Sequence, residues 1–349
     1  MKYNQKMKIA IHHSPVSYSA QWIEYCERHA IPYKVVNVYD SNIIQQLDDC
    51  SAFMWHHNHV DYRDRIFAKQ LLYSLQERGV KVYPDFKTTW HFDDKVGQKY
   101  LFEAIGAPLV KSYVFYDKKD ALAWINITTF PKVFKLRGGS GSSNVRLAKT
   151  KREARGLINI AFGRGFSFIS GYRLFIDSLK KFFHGKGTFL NVFKRFIRLI
   201  IPSEFMRMAS KEKGYVYFQD FVSGLKEDYR LQFVGKRCWA MIRNVREGDF
   251  RASGSHDMLF DHTRIPREML DIAYALVERL SLQSCAFDFL ITKDKKIKLV
   301  EMSYCFGIDI ESKNGEFYVD EFTHGYWDEN KEWHEGCFNP LGWMVEQVI

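Results

Sequence analysis

Between residues 7 and 90 the chain alternates short apolar runs with helically spaced segments, and no other feature constrains its fold as strongly. "MKIAIHH", "YKVVNVY", "CSAFMWHH" and "VKVYP" read as strands, and "SAQWIEYCERHA" and "RDRIFAKQLLYSLQERG" as helices. Strands separated by helices imply a parallel sheet covered on both faces. Ligands of such sheets lie beyond the carboxyl ends of the strands. His12, His13, His56, His57 and His59 all fall at such ends.

The pattern then changes. "DDKVGQKYLFEAIGAP" is a helix closed by Gly106 and stopped by Pro108. "KSYVFY" and "FPKVFKL" read as strands, "SNVRLAK" as a returning strand and "KREARGLINIAFGRG" as a helix. From residue 215 the chain turns to β-structure in "YVYFQDFV", "DYRLQFVG" and "RCWAMIRNV". The helix "PREMLDIAYALVERLS" leads to a last hairpin, "CAFDFLITKDKKIKLVEMS", and "NPLGWMVEQVI" reads as a helix running to the final residue. Three domains are expected: 1–90, 91–218 with a basic insertion at about 165–213, and 219–349.

Charge is local. The net charge is +10, yet residues 164–213 alone hold eleven Lys/Arg against three acids. A basic patch of this kind is poor evidence for nucleic-acid binding by the whole chain, and no nucleic-acid partner is expected. Within it, "RLFIDSLKKFFHGKGTFLNVFKRFIRLIIP" is amphipathic and rich in phenylalanine. It fits an internal lid or homodimer arm, or, through residues 172–201, a peripheral contact with a membrane face. The six cysteines form no C-x-x-C pair, which suits reduced thiols, and no apolar run approaches the roughly 18 residues of a membrane span. A cytoplasmic location is expected.

Two hairpins carry candidate chemistry. With a turn between Asp294 and Lys295, Asp288 faces Glu301, and Ser303 shares their sheet face. Opposed carboxylates repel unless solvent or a hard divalent cation separates their charges. With Gly235-Lys236 as the other turn, Asp228, Arg230, Met241 and Arg243 share a face. That set suits either a phosphate or carboxylate ligand or a structural ion-pair ladder. "WHHNH" at 55–59 fits substrate contact, ordinary polar loop residues or, least well, a metal site. No convincing Ser-His-Asp or Cys-His arrangement for nucleophilic catalysis is found.

"FPKVFKLRGGSGSSNV", residues 130–145, has a lysine before its glycines, where a P-loop places the lysine after them. Taken in order, "DDK", "PKVFKLRGGSGSSNV", "YFQDFVSGLKEDYRLQFVG" and "FDFLITKDKKIKLVEMS" resemble the ATP-grasp superfamily. "AMIRNVREGDFRAS" resembles the RimK-like branch of carboxylate–amine ligases, with Ser253 where that branch usually has Asn. The resemblance implies an α/β (α+β) fold in which a Rossmann-like parallel-sheet domain precedes two α+β lobes clasping ATP. It implies that Lys95 and Lys135 contact ATP phosphates, that Gln219, Asp220 and Val222 lie on the strand whose backbone meets adenine, and that Asp228 holds the ribose. It also implies Mg²⁺, with Mn²⁺ as a substitute, on Asp288, Glu301 and Ser303, the last in a position usually held by Asn.

On this reading Lys135 reaches phosphate from a strand. Gly138 to Ser143, including Gly139, Ser140, Gly141 and Ser142, form a flap whose N–H groups close over the phosphates. The implied reaction is ADP-forming amide synthesis through an acyl phosphate, with Arg230, Arg243 and Arg251 holding that intermediate and the oxyanion. The partners are a small-molecule carboxylate, such as an amino acid or sugar acid, and an amine. A small-molecule phosphotransferase and a non-catalytic ATP-binding regulator are the rival readings.

Overall fold

A computed structural model describes residues 7–139, 144–167, 175–176, 178–179, 182, 188–200, 208, 211–245, 258–308, 310–313, 316–319 and 325–349. Its contacts separate two units, Met1–Val110 with Val222–Ile349, and Lys111–Phe221.

The larger unit opens with β1 (Ile9–His12), α1 (Ser19–Arg28), β2 (Tyr33–Val36), α2 (Ile43–Gln46), β3 (Ala52–Met54), α3 (Tyr62–Glu77) and β4 (Lys81–Tyr83). All strand pairs in its sheet are parallel, in the order β2-β1-β3-β4. Period-two alternation divides β1 between two cores. Ile9 and Ile11 meet Trp22 and Cys26 of α1, whereas Ala10 joins Phe53, Trp55 and the α3 residues Leu72 and Leu75. Both faces are thus covered, as the strand–helix alternation predicts.

Next come α4 (Phe86–Thr89) and α5 (Lys95–Ala104). Asp94 caps α5, its carboxylate accepting the Gly97 N–H at 2.9 Å, and Gly106 follows the helix at φ +71°. The Gly106 closure is the one expected from the sequence, and the Asp94 cap, which the sequence reading did not single out, fixes where Lys95 begins its helix.

The smaller unit contains β5 (Ser112–Phe115), α6 (Lys118–Ile127), β6 (Lys132–Lys135), β7 (Val145–Ala148), α7 (Lys151–Ala161), α8 (Phe189–Ile200) and β8 (Val216–Asp220). Its four strands are antiparallel, in the order β5-β8-β6-β7. Phe134 and Phe218 pack against Ile125 of α6 and Ile158 of α7, so these helices cover one sheet face.

The larger unit resumes with β9 (Glu227–Val234), β10 (Arg237–Asn244), β11 (Met258–Leu259), α9 (Arg267–Leu280), β12 (Ser284–Ile291) and β13 (Ile297–Ser303). It ends with β14 (Ile310–Lys313), β15 (Glu316–Val319), β16 (Gly325–Trp327), β17 (Trp333–Glu335) and α10 (Pro340–Glu346). Seven strands form one sheet in the order β13-β12-β9-β10-β16-β17, with β11 beside β10. One face, bearing Leu231, Phe233, Phe287 and Phe289, packs on Met269, Leu270 and Ala273 of α9. On the other, Val234, Trp239 and Ala286 join the core that holds Ile9, Trp22 and the α10 residues Leu341 and Val345.

Two sequence expectations change here. The β12–β13 hairpin is not the last, because β14–β15 and β16–β17 follow it. The terminal helix stops at Glu346, where Gln347 N–H bonds Met344 O and Val348 N–H bonds Val345 O, three-residue spacings that tighten the chain into a turn.

Loss of the α5 cap should cost about 1 kcal/mol. Asp94→Ala is therefore expected to lower the melting temperature by about 2–4 °C in a thermal-shift measurement, and an unchanged temperature would remove the cap from this account.

Candidate functional site

The site begins with a hairpin whose register was readable in the sequence. Gly235 adopts φ +58°, which favours glycine, and lets a two-residue turn join Val234 to its partner Arg237. A Cβ there would also press on the Gln347 side chain at 3.0 Å. From that turn the ladder runs without a break to Arg230↔Met241 and Asp228↔Arg243. Asp228, Arg230, Met241 and Arg243 therefore share a face, as expected.

The second hairpin reaches the expected pairing by another route. Its turn has three loop residues, Lys293 to Lys295, with Lys295 at φ +58°, so pairing near the turn is Ile291↔Ile297 and Phe289↔Leu299. A bulge then leaves Val300 without a partner, and beyond it Asp288 faces Glu301 and Ala286 faces Ser303. The assumed turn between Asp294 and Lys295 was off by half a step, and the bulge restores the pair. Bulges commonly re-aim side chains beside functional sites.

Because β12 pairs with β9 through Asp288↔Arg230, both hairpins present one charged face. Arg230 donates to Asp288 through Nε at 2.7 Å and a terminal nitrogen at 2.8 Å. Arg243 donates in the same bidentate way to Asp228 at 2.6 and 2.8 Å, and reaches Asp288 at 3.1 Å. Asp228, Arg243 and Asp288 are all buried. Burial pushes the Asp228 carboxyl up to about 6 against the pull of Arg243. Burial works on Asp288 in the same direction, but Arg230 and Arg243 together outweigh it and hold that carboxyl below the usual range. In a low-dielectric setting the carboxylate with two guanidinium partners keeps its charge and its neighbour accepts a proton first.

The edge of this sheet is closed by α5. Gln98 Nε2 donates to Met302 O at 2.8 Å and its Oε1 accepts Met302 N–H at 3.1 Å, so one amide satisfies both backbone groups of an edge-strand residue. One turn earlier on the helix, Lys95 Nζ stands 3.6 Å from Glu301 Oε2. Sequence reading did not single out Gln98. A buried glutamine at the i+3 position from a candidate lysine was its available signal.

Asp288, Glu301 and Ser303 supply oxygen donors on one face, the chemistry that hard divalent cations take. Ser303 donates its hydroxyl proton to Cys305 O at 3.1 Å, which leaves the hydroxyl oxygen able to coordinate. Asp288 Oδ2 accepts one bond, from Arg230, and Arg243 reaches Oδ1, so Oδ2 too keeps acceptor capacity. The residues thus fit Mg²⁺. Among the described residues no group of three His, Cys, Asp or Glu side chains gathers as a metal cluster, so this set rests on two carboxylates and a hydroxyl.

The remaining candidates belong to the smaller unit or lie outside the described residues. Lys135 is buried at the end of β6, and Lys132 at the start of the strand donates to Asp220 Oδ1 at 2.5 Å. Gln219 Nε2 donates to Ser112 Oγ at 3.1 Å. β8 is an interior strand, so the backbone of Gln219 and Asp220 faces ladders on both sides, and Asp220 N–H bonds Lys111 O. Val222 lies past the end of this strand. Gly139 has φ +119°, and a Cβ there would stand 2.5 Å from Asn144 Nδ2. Ser140, Gly141, Ser142, Arg251 and Ser253 lie outside the described residues.

The histidines at the ends of the parallel strands divide between two surroundings, His12 and His13 on their own partners and His56, His57 and His59 around Phe92 and Tyr304. His12 Nδ1 bonds Val36 O at 3.2 Å, His13 bonds Ser19 Oγ at 3.0 Å, and His59 stands 3.6 Å from Asp93. His56 stacks on Tyr18, and burial lowers it to about 4. His57 is lowered by burial first, and further by the nearby His56, Lys69 and His59. His91, which the sequence reading passed over, is buried and lowered to about 3. A separate cavity of about 300 Å³ borders Trp327, Trp333 and His262. Its lining residue Ala240 alternates with Met241 and so faces away from the arginine–carboxylate network.

This arrangement of sheets and helices is the ATP-grasp fold. It resembles the RimK domain ATP-grasp protein of Sphaerobacter thermophilus, with 13% identity over 98% of this chain and 99% of that one and a TM-score of 0.56. It also resembles the biotin carboxylase domain of the Hydrogenobacter thermophilus 2-oxoglutarate carboxylase, solved with magnesium–ADP and bicarbonate. There the identity is 9%, the coverage 98% and 70%, and the TM-score 0.57. A RiPP-associated ATP-grasp ligase of Chryseobacterium gregarium, solved with ADP and a leader and core peptide, is 11% identical over 86% of this chain and 90% of that one, with a TM-score of 0.54. No protein-family model matches the sequence, and no curated protein matches it.

Removing Arg243 would leave two buried carboxylates short of a partner. Arg243→Met is expected to destabilise the fold by about 3–5 kcal/mol in chemical denaturation. The raised Asp228 carboxyl holds a proton in the folded chain that the unfolded chain loses near its ordinary 3.8. Its contribution to stability is complete below that value and disappears as pH rises through about 6. Asp228→Asn should flatten the decline in stability between about pH 4 and 6, and a decline as steep as the parent's would contradict this assignment.

Proposed function

We propose that the chain is an ATP- and Mg²⁺-dependent ligase that joins a carboxylate to an amine, releasing ADP and phosphate. One sheet face carries this reading. It sets the Asp288 pairings with Arg230 and Arg243 directly across from Glu301, whose own partner is Lys95 of α5, with Ser303 on the same face. Phosphoryl transfer requires positioning and charge neutralisation more than a protein nucleophile, and this face is rich in both cations and oxygen donors. The fold agrees, since two of the similar structures are solved with ADP.

In the proposed reaction the substrate carboxylate oxygen attacks the γ-phosphorus of ATP, the bond to the β–γ bridging oxygen breaks, and ADP leaves. The amine then attacks the acyl carbon, the C–O bond to phosphate breaks, and the amine loses a proton as the amide forms. Lys95 and Lys135 hold phosphate oxygens, and Asp228 takes the ribose. Arg230, Arg243 and Arg251 stabilise the acyl phosphate and the oxyanion. Gly139, Ser140, Gly141 and Ser142 close over the phosphates, and the segment from Gln219 and Asp220 to Val222 borders adenine. Asp288, Glu301 and Ser303 would hold Mg²⁺, which when bound neutralises phosphate charge and would accept Mn²⁺ in its place.

Incubation with ATP, Mg²⁺, amino acids, sugar acids and amines tests the proposal. Equal amounts of ADP, phosphate and a new amide are expected, and Glu301→Gln should lower kcat by about 100-fold or more. Phosphate retained on the product would identify a phosphotransferase instead. ATP binding without turnover on any acid–amine pair would favour a regulatory protein.

A further inference from the structure

We propose that α8, Phe189–Ile200 of the smaller unit, seats the protein on an anionic lipid bilayer. Successive helical residues are about 100° apart, which places Phe189, Leu190, Phe193, Phe196 and Ile197 within an arc of about 120°. All five are exposed, from 67% for Phe189 to 39% for Ile197, whereas Val192 on another side of the helix is buried. Phe175 lies against Phe196 at 5.8 Å and Phe182 against Phe189 at 6.1 Å, so the aromatic strip extends past the helix. A contiguous apolar strip of this kind marks an interaction surface rather than scattered surface hydrophobes.

Charge selects the partner. Between Ser178 and Ser203 the sequence has six Lys/Arg and no acid, and exposed Lys194 lies on the polar side of the helix. Two copies of this chain meeting through α8 would bring like charges together, a penalty that a partner of opposite charge removes. An anionic bilayer accepts both parts of the surface: the apolar strip enters the boundary of the acyl chains, and the net positive charge of the segment, with exposed Lys194, is drawn to lipid phosphates. A helix of 12 residues is about 18 Å long, short of the roughly 30 Å hydrocarbon core. No helix among the described residues is long and apolar enough to cross a membrane. The contact is therefore with the membrane surface.

The test is sedimentation of the full chain with vesicles of phosphatidylcholine, with and without phosphatidylglycerol. Binding to the phosphatidylglycerol vesicles is expected to be at least about tenfold tighter and to weaken in high salt. Phe193→Ser combined with Phe196→Ser should reduce that binding by about tenfold or more, with the circular dichroism spectrum unchanged. Equal binding to both vesicles, or no binding to either, would overturn the proposal without any variant. So would a vesicle-inert parent that sediments as a dimer and becomes a monomer in the double variant, because α8 would then be a self-association surface.

Discussion

The buried pairing of Arg230 and Arg243 with Asp228 and Asp288 is the constraint on which the rest of the larger unit depends. Asp228, Asp288 and Arg243 are buried, and each alone would carry a heavy desolvation cost; with the partly exposed Arg230 the four ionised groups sum to zero with bidentate geometry. Such a set survives only if three strands stay in register, since a slip of one residue would turn an arginine toward the α9 core. The tight turn at Gly235 and the β9–β12 pairing of Arg230 with Asp288 keep that register. The charged cluster thus specifies the sheet as much as the sheet positions the cluster.

The same face changes character along its length. Val234, Trp239 and Ala286 lie in the apolar core shared with the parallel sheet and α10, and a few residues further along the same strands the side chains become Asp228, Arg230, Arg243 and Asp288. One end of the face anchors the unit and the other is charged. The bulge at Val300 and the Gln98 amide complete the arrangement by bringing Glu301 opposite Asp288 and Lys95 near Glu301. Neither device adds a charge. Both decide which charges meet.

Much of this was legible in the sequence because it depends on local periodicity. The parallel sheet follows from the alternation of strands and helices, and the Asp228–Arg243 face follows from one glycine turn and the period of two. The Asp288–Glu301 pair was also readable, although the three-residue turn and the bulge that produce it were not, because their two register errors cancel. Gln98 was hidden because its partner is backbone 204 residues away. The β16–β17 hairpin was hidden because it joins β10 across a long sequence separation, and its aromatic run resembles an irregular tail. Long-range pairing leaves no short-range period to read.

The proposed ligase chemistry requires that the carboxylate hairpin serve a metal-bound nucleotide and not merely brace the sheet. Calorimetric titration of ATP into the full chain, with Mg²⁺ and then with a chelator, tests this most directly. The account predicts that Mg²⁺ tightens ATP binding at least about tenfold in the parent and has little effect in Glu301→Gln. Equal ATP affinity with and without Mg²⁺ in the parent, unchanged by the substitution, would contradict it.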